Sequence, residues 1–96
     1  MIGLDVTMRR RPEVTSRDTP EGAVLLDLAS GNCYELNRVG QMFWSELSSI
    51  RPLARICDSL LAKLNAPRDV VERDVLALVE DLQRAGLVDM VRPATP

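Results

Sequence analysis

The chain has 96 residues, 46% of them hydrophobic and only 3% aromatic, which suffices for one core built from Leu, Val, Ile, Met and Ala but hardly for two. Its 12 basic and 14 acidic residues leave a formal net charge of −2, so no overall attraction draws it to a phosphate backbone. Histidine is absent, Cys33 and Cys57 therefore read as reduced, buried thiols rather than metal ligands, and no apolar run approaches the roughly 20 residues of a membrane span; the expectation is a cytoplasmic protein with no metal, cofactor or membrane partner.

Residues 1–21 read as an N-terminal arm, because Met8-Arg9-Arg10-Arg11-Pro12 and Arg17-Asp18-Thr19-Pro20 carry charge and proline with little periodicity. Within the arm, Leu4, Val6 and Met8 alternate with Asp5, Thr7 and Arg9, the period of a half-buried strand. A first strand pairing with the next one is therefore an open alternative. The arginine triplet reads as a solvated segment and receives no function.

The clearest β signal follows. Ala23–Leu28 and Cys33–Leu36 are two apolar runs joined by Ala29-Ser30-Gly31-Asn32, a glycine-containing turn, and predict a hairpin. Period two places Val24, Leu26 and Leu28 on one face, and sets Tyr34 and Leu36, expected to be buried, opposite Cys33 and Glu35. No further strand is evident before the helices, so Cys33–Leu36 is expected at a sheet edge with its outer N–H and C=O groups unpaired.

Asn37 is a good N-cap for a helix over about Arg38 to Ser49, with Val39, Met42, Phe43, Leu47 and Ile50 as its apolar stripe. Pro52 suits the first position of a second helix, whose core face is Leu53, Ile56, Leu60, Leu61 and Leu64. A third, longer helix begins at Pro67, is favoured by Asp69 and Glu72 in its first turns, and ends at Gly86. Its stripe is Val71, Val75, Leu78, Val79 and Leu82. Leu76 lies well off that stripe, either a tolerated exposed leucine or part of a pocket. Leu87-Val88 is expected to fold back as a hydrophobic clamp. The foldable domain is expected over 22–90, with a flexible tail at 91–96.

The predicted class is α+β: a small N-terminal antiparallel sheet of two or three strands followed by three helices, the inventory of a winged helix-turn-helix. DNA binding is weighed on that ground and set aside. The third helix holds Arg68, Arg73 and Arg84 against Asp69, Glu72, Asp74, Glu80 and Asp81, and an acidic reader helix is repelled by phosphate. Catalysis lacks its ingredients: Cys33 has no histidine to activate it, no glycine-rich phosphate loop is present, and the carboxylates sit at helical spacing among arginines, as on a solvated face. What remains is a binding surface. An open strand edge beside a helix lets an extended peptide satisfy backbone hydrogen bonds while alternate side chains enter apolar pockets. The same edge also permits self-pairing into a dimer.

The residues Gly22-Ala23-Val24-Leu25-Leu26-Asp27-Leu28, Ser30-Gly31, Tyr34-Glu35-Leu36-Asn37, Gly40 and Phe43-Trp44, with Val71, Asp74-Val75, Leu82 and Ala85-Gly86-Leu87-Val88 further on, resemble the PqqD-like family over about residues 22 to 88. The resemblance implies a winged helix-turn-helix that recognises the leader segment of a ribosomally made precursor peptide, without catalysis, the leader adding antiparallel to the third strand and lying against the third helix. Carried onto this chain, it implies peptide-binding roles for Cys33, Tyr34, Glu35 and Leu36 on the strand and for Val71, Asp74, Val75 and Leu78 on the helix. Val24-Leu25-Leu26-Asp27 followed by Ser30-Gly31 is most similar to the discrete leader-binding proteins of lasso-peptide pathways, which implies a leader peptidase and an ATP-dependent macrocyclase as partners. A peptide chaperone for a radical SAM enzyme stays open as the alternative. The long, arginine-containing beginning departs from the lasso pattern.

Overall fold

The computed structural model describes residues 2–91, which form five strands and three helices in a mixed α+β domain. In chain order these are β1 (Thr7–Arg10), β2 (Val14–Thr19), β3 (Gly22–Asp27), β4 (Cys33–Asn37), α1 (Arg38–Glu46), α2 (Leu53–Leu61), α3 (Arg68–Arg84) and β5 (Val88–Val91). A three-stranded antiparallel sheet runs β2-β3-β4, and a two-stranded one joins β1 to β5. The expected tail falls mostly on residues 92–96, outside those described.

The predicted hairpin is β3-β4, with Leu26 opposite Cys33 and Ala23 opposite Leu36. Its turn is held by Asp27, whose carboxylate accepts from the Ser30 hydroxyl and the Ala29 N–H, each at 2.9 Å. Those bonds, Ser30's foremost, hold the Asp27 carboxyl below the usual carboxylate range. Gly31 completes the turn at φ +80°, where a side chain would be strained.

The N-terminal arm differs from expectation. A first strand forms, but β1 pairs with β5, Met8 opposite Met90, rather than with the hairpin. The hairpin's other flank is taken by β2, which comes from the segment read as an uncommitted, charged arm. The reason is local. Pro20 and Glu21 make a two-residue connection between Thr19 and Gly22, tightened by the Gly22 N–H donating to the Thr19 hydroxyl at 3.1 Å. That short link brings β2 back along β3 before β1 can reach it. As an edge strand facing solvent, β2 carries polar residues where a core strand would show alternation. The Leu87-Val88 clamp extends into β5, so the start and end of the fold are one ladder.

Asn37 caps α1 as expected, its side chain accepting from the Gly40 N–H at 2.9 Å. The helix stops at Glu46 rather than near Ser49, and Ile50, expected in the core, is 68% exposed. After Glu46 the chain tightens into i→i+3 turns, the Leu47, Ser48 and Ser49 N–H groups donating to the Trp44, Ser45 and Glu46 carbonyls, and Pro52 disfavours a return to helix at Arg51, so Ile50 turns outward. The buried face is instead Gly40, Phe43, Trp44 and Leu47, and Arg51 returns to pair with Glu46. On α2, Leu53, Ile56 and Leu60 are buried with Cys57, while Leu61 and Leu64 pack at the periphery. On α3, Val71, Val75, Val79 and Leu82 face the core, and Leu76 is half-buried against it. Gly86 at φ +77° closes α3, the Leu87 N–H donating back to the Leu82 carbonyl at 2.9 Å, a termination that favours glycine.

One arginine of the triplet is structural. The Arg10 guanidinium lies over the Trp44 ring, 5.1 Å from its centroid, and donates through Nε at 3.2 Å and through Nη2 to the Trp44 carbonyl. It ties β1 to the last turn of α1. Replacing Arg10 with Ala removes a cation–π contact and the bonds to a helix-end carbonyl, an expected loss of about 1–2 kcal/mol. Arg10→Lys should recover only part of it, since an ammonium cannot repeat the fork. Urea denaturation of the three proteins measures both.

Candidate functional site

Strand β4 is one of the two open edges of its sheet, β2 being the other. Which of its backbone groups face outward follows from the turn: the Asp27 N–H donates to the Asn32 carbonyl at 2.9 Å, so this facing pair is hydrogen-bonded, and bonded and non-bonded pairs alternate along an antiparallel ladder. Tyr34 and Leu36 therefore spend their N–H and C=O groups on β3. Cys33 and Glu35 turn theirs away from the sheet as free donors and acceptors, and Asn37 adds its N–H, while its C=O starts the hydrogen bonding of α1. Their side chains stand on the solvent face, exposed in each case.

On the opposite face, Leu36 is buried and Tyr34 half-buried. The Tyr34 phenol is pushed up, first by its burial and then by the charge of Asp81 on α3, and residues from both sides line shared depressions that set helix and strand edge across a gap from one another. Two depressions lie in that gap. One, of about 290 Å³, is lined by Asn32, Cys33 and Tyr34 from the strand side and by Ala85 and Leu87 at the end of α3. The other, of about 380 Å³, lies at the far end of β4, where Asn37, Val39 and Gly40 face Asp74, Leu78 and Asp81 among its walls. Strand edge and helix thus border one groove, with α3 running opposite in direction to β4.

The residues singled out from sequence divide by depth. Cys33, Tyr34, Glu35 and Leu36 form the edge strand itself, and Asp74 and Leu78 line the wider depression. Val71 and Val75 are buried in the core at 4% and 1% exposure and reach neither depression. Asp81 and Ala85 were missed, although continuing the spacing of three and four from Asp74 through Leu78 reaches both. Asn37 both caps α1 and ends the edge strand, with its N–H facing outward.

The groove offers backbone pairing and side-chain space but no reactive constellation. Among the described residues no group of His, Cys, Asp and Glu is placed to hold a metal ion, and Cys33 is a free, exposed thiol with no base beside it. Arg68, which opens α3, is engaged with Asp58 at 3.0 Å and Glu72 at 3.4 Å, leaving the helix still less able to meet phosphate. No helix among the described residues is long and apolar enough to cross a membrane.

Comparison with known proteins fits this geometry. Residues 22–88 match the family described as coenzyme PQQ synthesis protein D (PqqD). Among solved structures, the fold is similar to TbiB1 in complex with the TbiA(beta) leader peptide, at 28% identity and a TM-score of 0.76, covering 84% of this chain and 94% of that one. It is also similar to lasso peptide synthetase B1 complexed with the leader peptide, at 31% identity and a TM-score of 0.70, covering 85% of this chain and 96% of that one. None of the curated proteins matches.

Proposed function

The chain belongs to the PqqD family, and on that premise we propose that it binds the leader segment of a ribosomally synthesised precursor peptide in lasso-peptide biosynthesis. It does so without chemistry of its own, in the cytoplasm, and delivers the precursor to a leader peptidase and a macrocyclase. The observation that carries this reading is the unpaired edge of β4 facing α3 across a groove. An extended peptide added there antiparallel completes a fourth strand and satisfies the outward groups of Cys33 and Glu35 and the N–H of Asn37, while alternate side chains turn toward α3. Tyr34 lines the narrow end of the groove, Asp74 and Leu78 line its wide end, and Leu36 is buried beneath the strand. Val71 and Val75 act one layer down, by fixing the position of α3 against the core.

That both similar structures are complexes with a leader peptide supports the lasso assignment over a chaperone for a radical SAM enzyme. Nucleic acid is disfavoured by the acidic excess of α3. The direct test is a fluorescence-anisotropy titration of the labelled leader from the precursor encoded beside this chain. Saturable one-to-one binding with little dependence on salt is expected. A leader that fails to bind while duplex DNA binds in a steeply salt-dependent way would overturn the reading.

A further inference from the structure

We infer that the wide end of the groove selects a lysine or arginine side chain of the bound strand. This rests on the leader-binding reading above and adds which residue class the groove reads, and where. Asp74 and Asp81 wall the wide depression on the α3 side, with Leu78 between them as an apolar floor. Among the described residues no cation lies within ion-pair distance of Asp74. Asp81 meets Arg84 at 3.5 Å, but both side chains are more than half exposed, and such a pair contributes little and is readily exchanged. The two carboxylates are two turns apart, about 10 Å along the axis. A side chain with an aliphatic stem and a cationic head covers the leucine and meets either carboxylate. A carboxylate of the peptide in the same place would be repelled by both.

The narrow depression has another character. Tyr34, Ala85 and Leu87 line it with Asn32 and Cys33, so it carries no formal charge. Two rulers give the distance between the depressions. Along the strand they are centred about four residues apart, or about 13 Å at 3.3 Å per residue. Along the helix, from Leu78 to the Ala85 end, seven to eight residues span about 11–12 Å. The agreement means that side chains four positions apart in an extended peptide, which share a face, enter the two depressions together. A strand antiparallel to β4 arrives with its N-terminal end beside Asn37. The cationic residue therefore precedes by four positions an apolar one that fills the narrow end.

A display library of randomised 12-residue peptides, panned against the full chain and against the D74N/D81N double variant, tests this. Strand-edge binders are identified as those lost with Glu35→Pro. Among them, wild-type protein should enrich Lys or Arg several-fold at one position with an apolar residue four later, and the double variant should lose the charge preference. Edge binders without a charge preference, or with one that survives in D74N/D81N, would overturn the inference and leave leader binding intact. If no peptide is retained by the wild-type protein, strand addition itself fails and this inference fails with it.

Discussion

Glu35→Pro should weaken leader binding by on the order of 10- to 100-fold while the protein stays folded. The ladder parity makes the position specific. Glu35 turns its N–H away from β3, so proline removes a donor that the sheet does not use and the bound strand does. The peptide carbonyl left without its partner in the closed groove costs about 1.5–3 kcal/mol, and each 1.4 kcal/mol is a factor of about ten in affinity. Glu35→Ala, which keeps the donor and removes only an exposed side chain, should change affinity by less than about threefold, because exposed side chains away from such features contribute little. Proline one position earlier is a different experiment: the Tyr34 N–H belongs to the β3-β4 ladder, and its loss attacks the sheet. Isothermal titration with the leader, beside circular dichroism to certify the fold, separates these effects. Equal affinity for wild type and Glu35→Pro would mean that the peptide does not add to this edge.

Phe43→Ala should be the most destabilising single truncation in the chain. Phe43 is fully buried and the largest of the fully buried side chains, so its truncation leaves the largest void that close-packed neighbours would have to fill. A phenylalanine truncated in a rigid core costs about 3–5 kcal/mol, a large share of the roughly 5–15 kcal/mol that holds a domain of this kind together. The thermal midpoint should fall by about 15 °C or more. Ile50→Ala provides the contrast, since its side chain stands in solvent and its loss should stay within about 0.5 kcal/mol. A thermal melt in which Ile50→Ala proves as damaging as Phe43→Ala would mean that the stripe read from periodicity, not the one observed, is the core.

That pair shows where periodicity reads correctly and where it stops. The hairpin, the Asn37 cap and the glycine end of α3 were legible because each depends on residues adjacent in sequence. The edge position of β4 was legible because a helix begins at once after it. Three features were not. β2 lies at an edge and carries polar residues on both faces, so it has no apolar alternation to detect. β5 needs β1, some eighty positions away, for every bond of its ladder, and no local pattern encodes a partner that distant. Ile50 keeps helical spacing past Glu46, where the chain has already tightened into i→i+3 turns. At the candidate site, the azimuth of α3 was readable from its repeat of 3.6 but its depth was not. Asp74 and Val75 are neighbours, yet one stands at the groove and the other in the core.

The shortness of β4 bears on how long a partner stays. The outward groups of Cys33 and Glu35 with the Asn37 N–H offer at most about five hydrogen bonds, each of about 0.5–1.5 kcal/mol net, against several kcal/mol lost on association. A docking rail of that length does not hold a partner by itself, so the side chains that enter the two depressions set the residence time; at micromolar affinity and an ordinary association rate near 10⁶ M⁻¹s⁻¹, a complex dissociates about once per second. Residence on that scale suits turnover: each copy can release a processed peptide and take up the next, so the protein can be present well below the amount of precursor it serves.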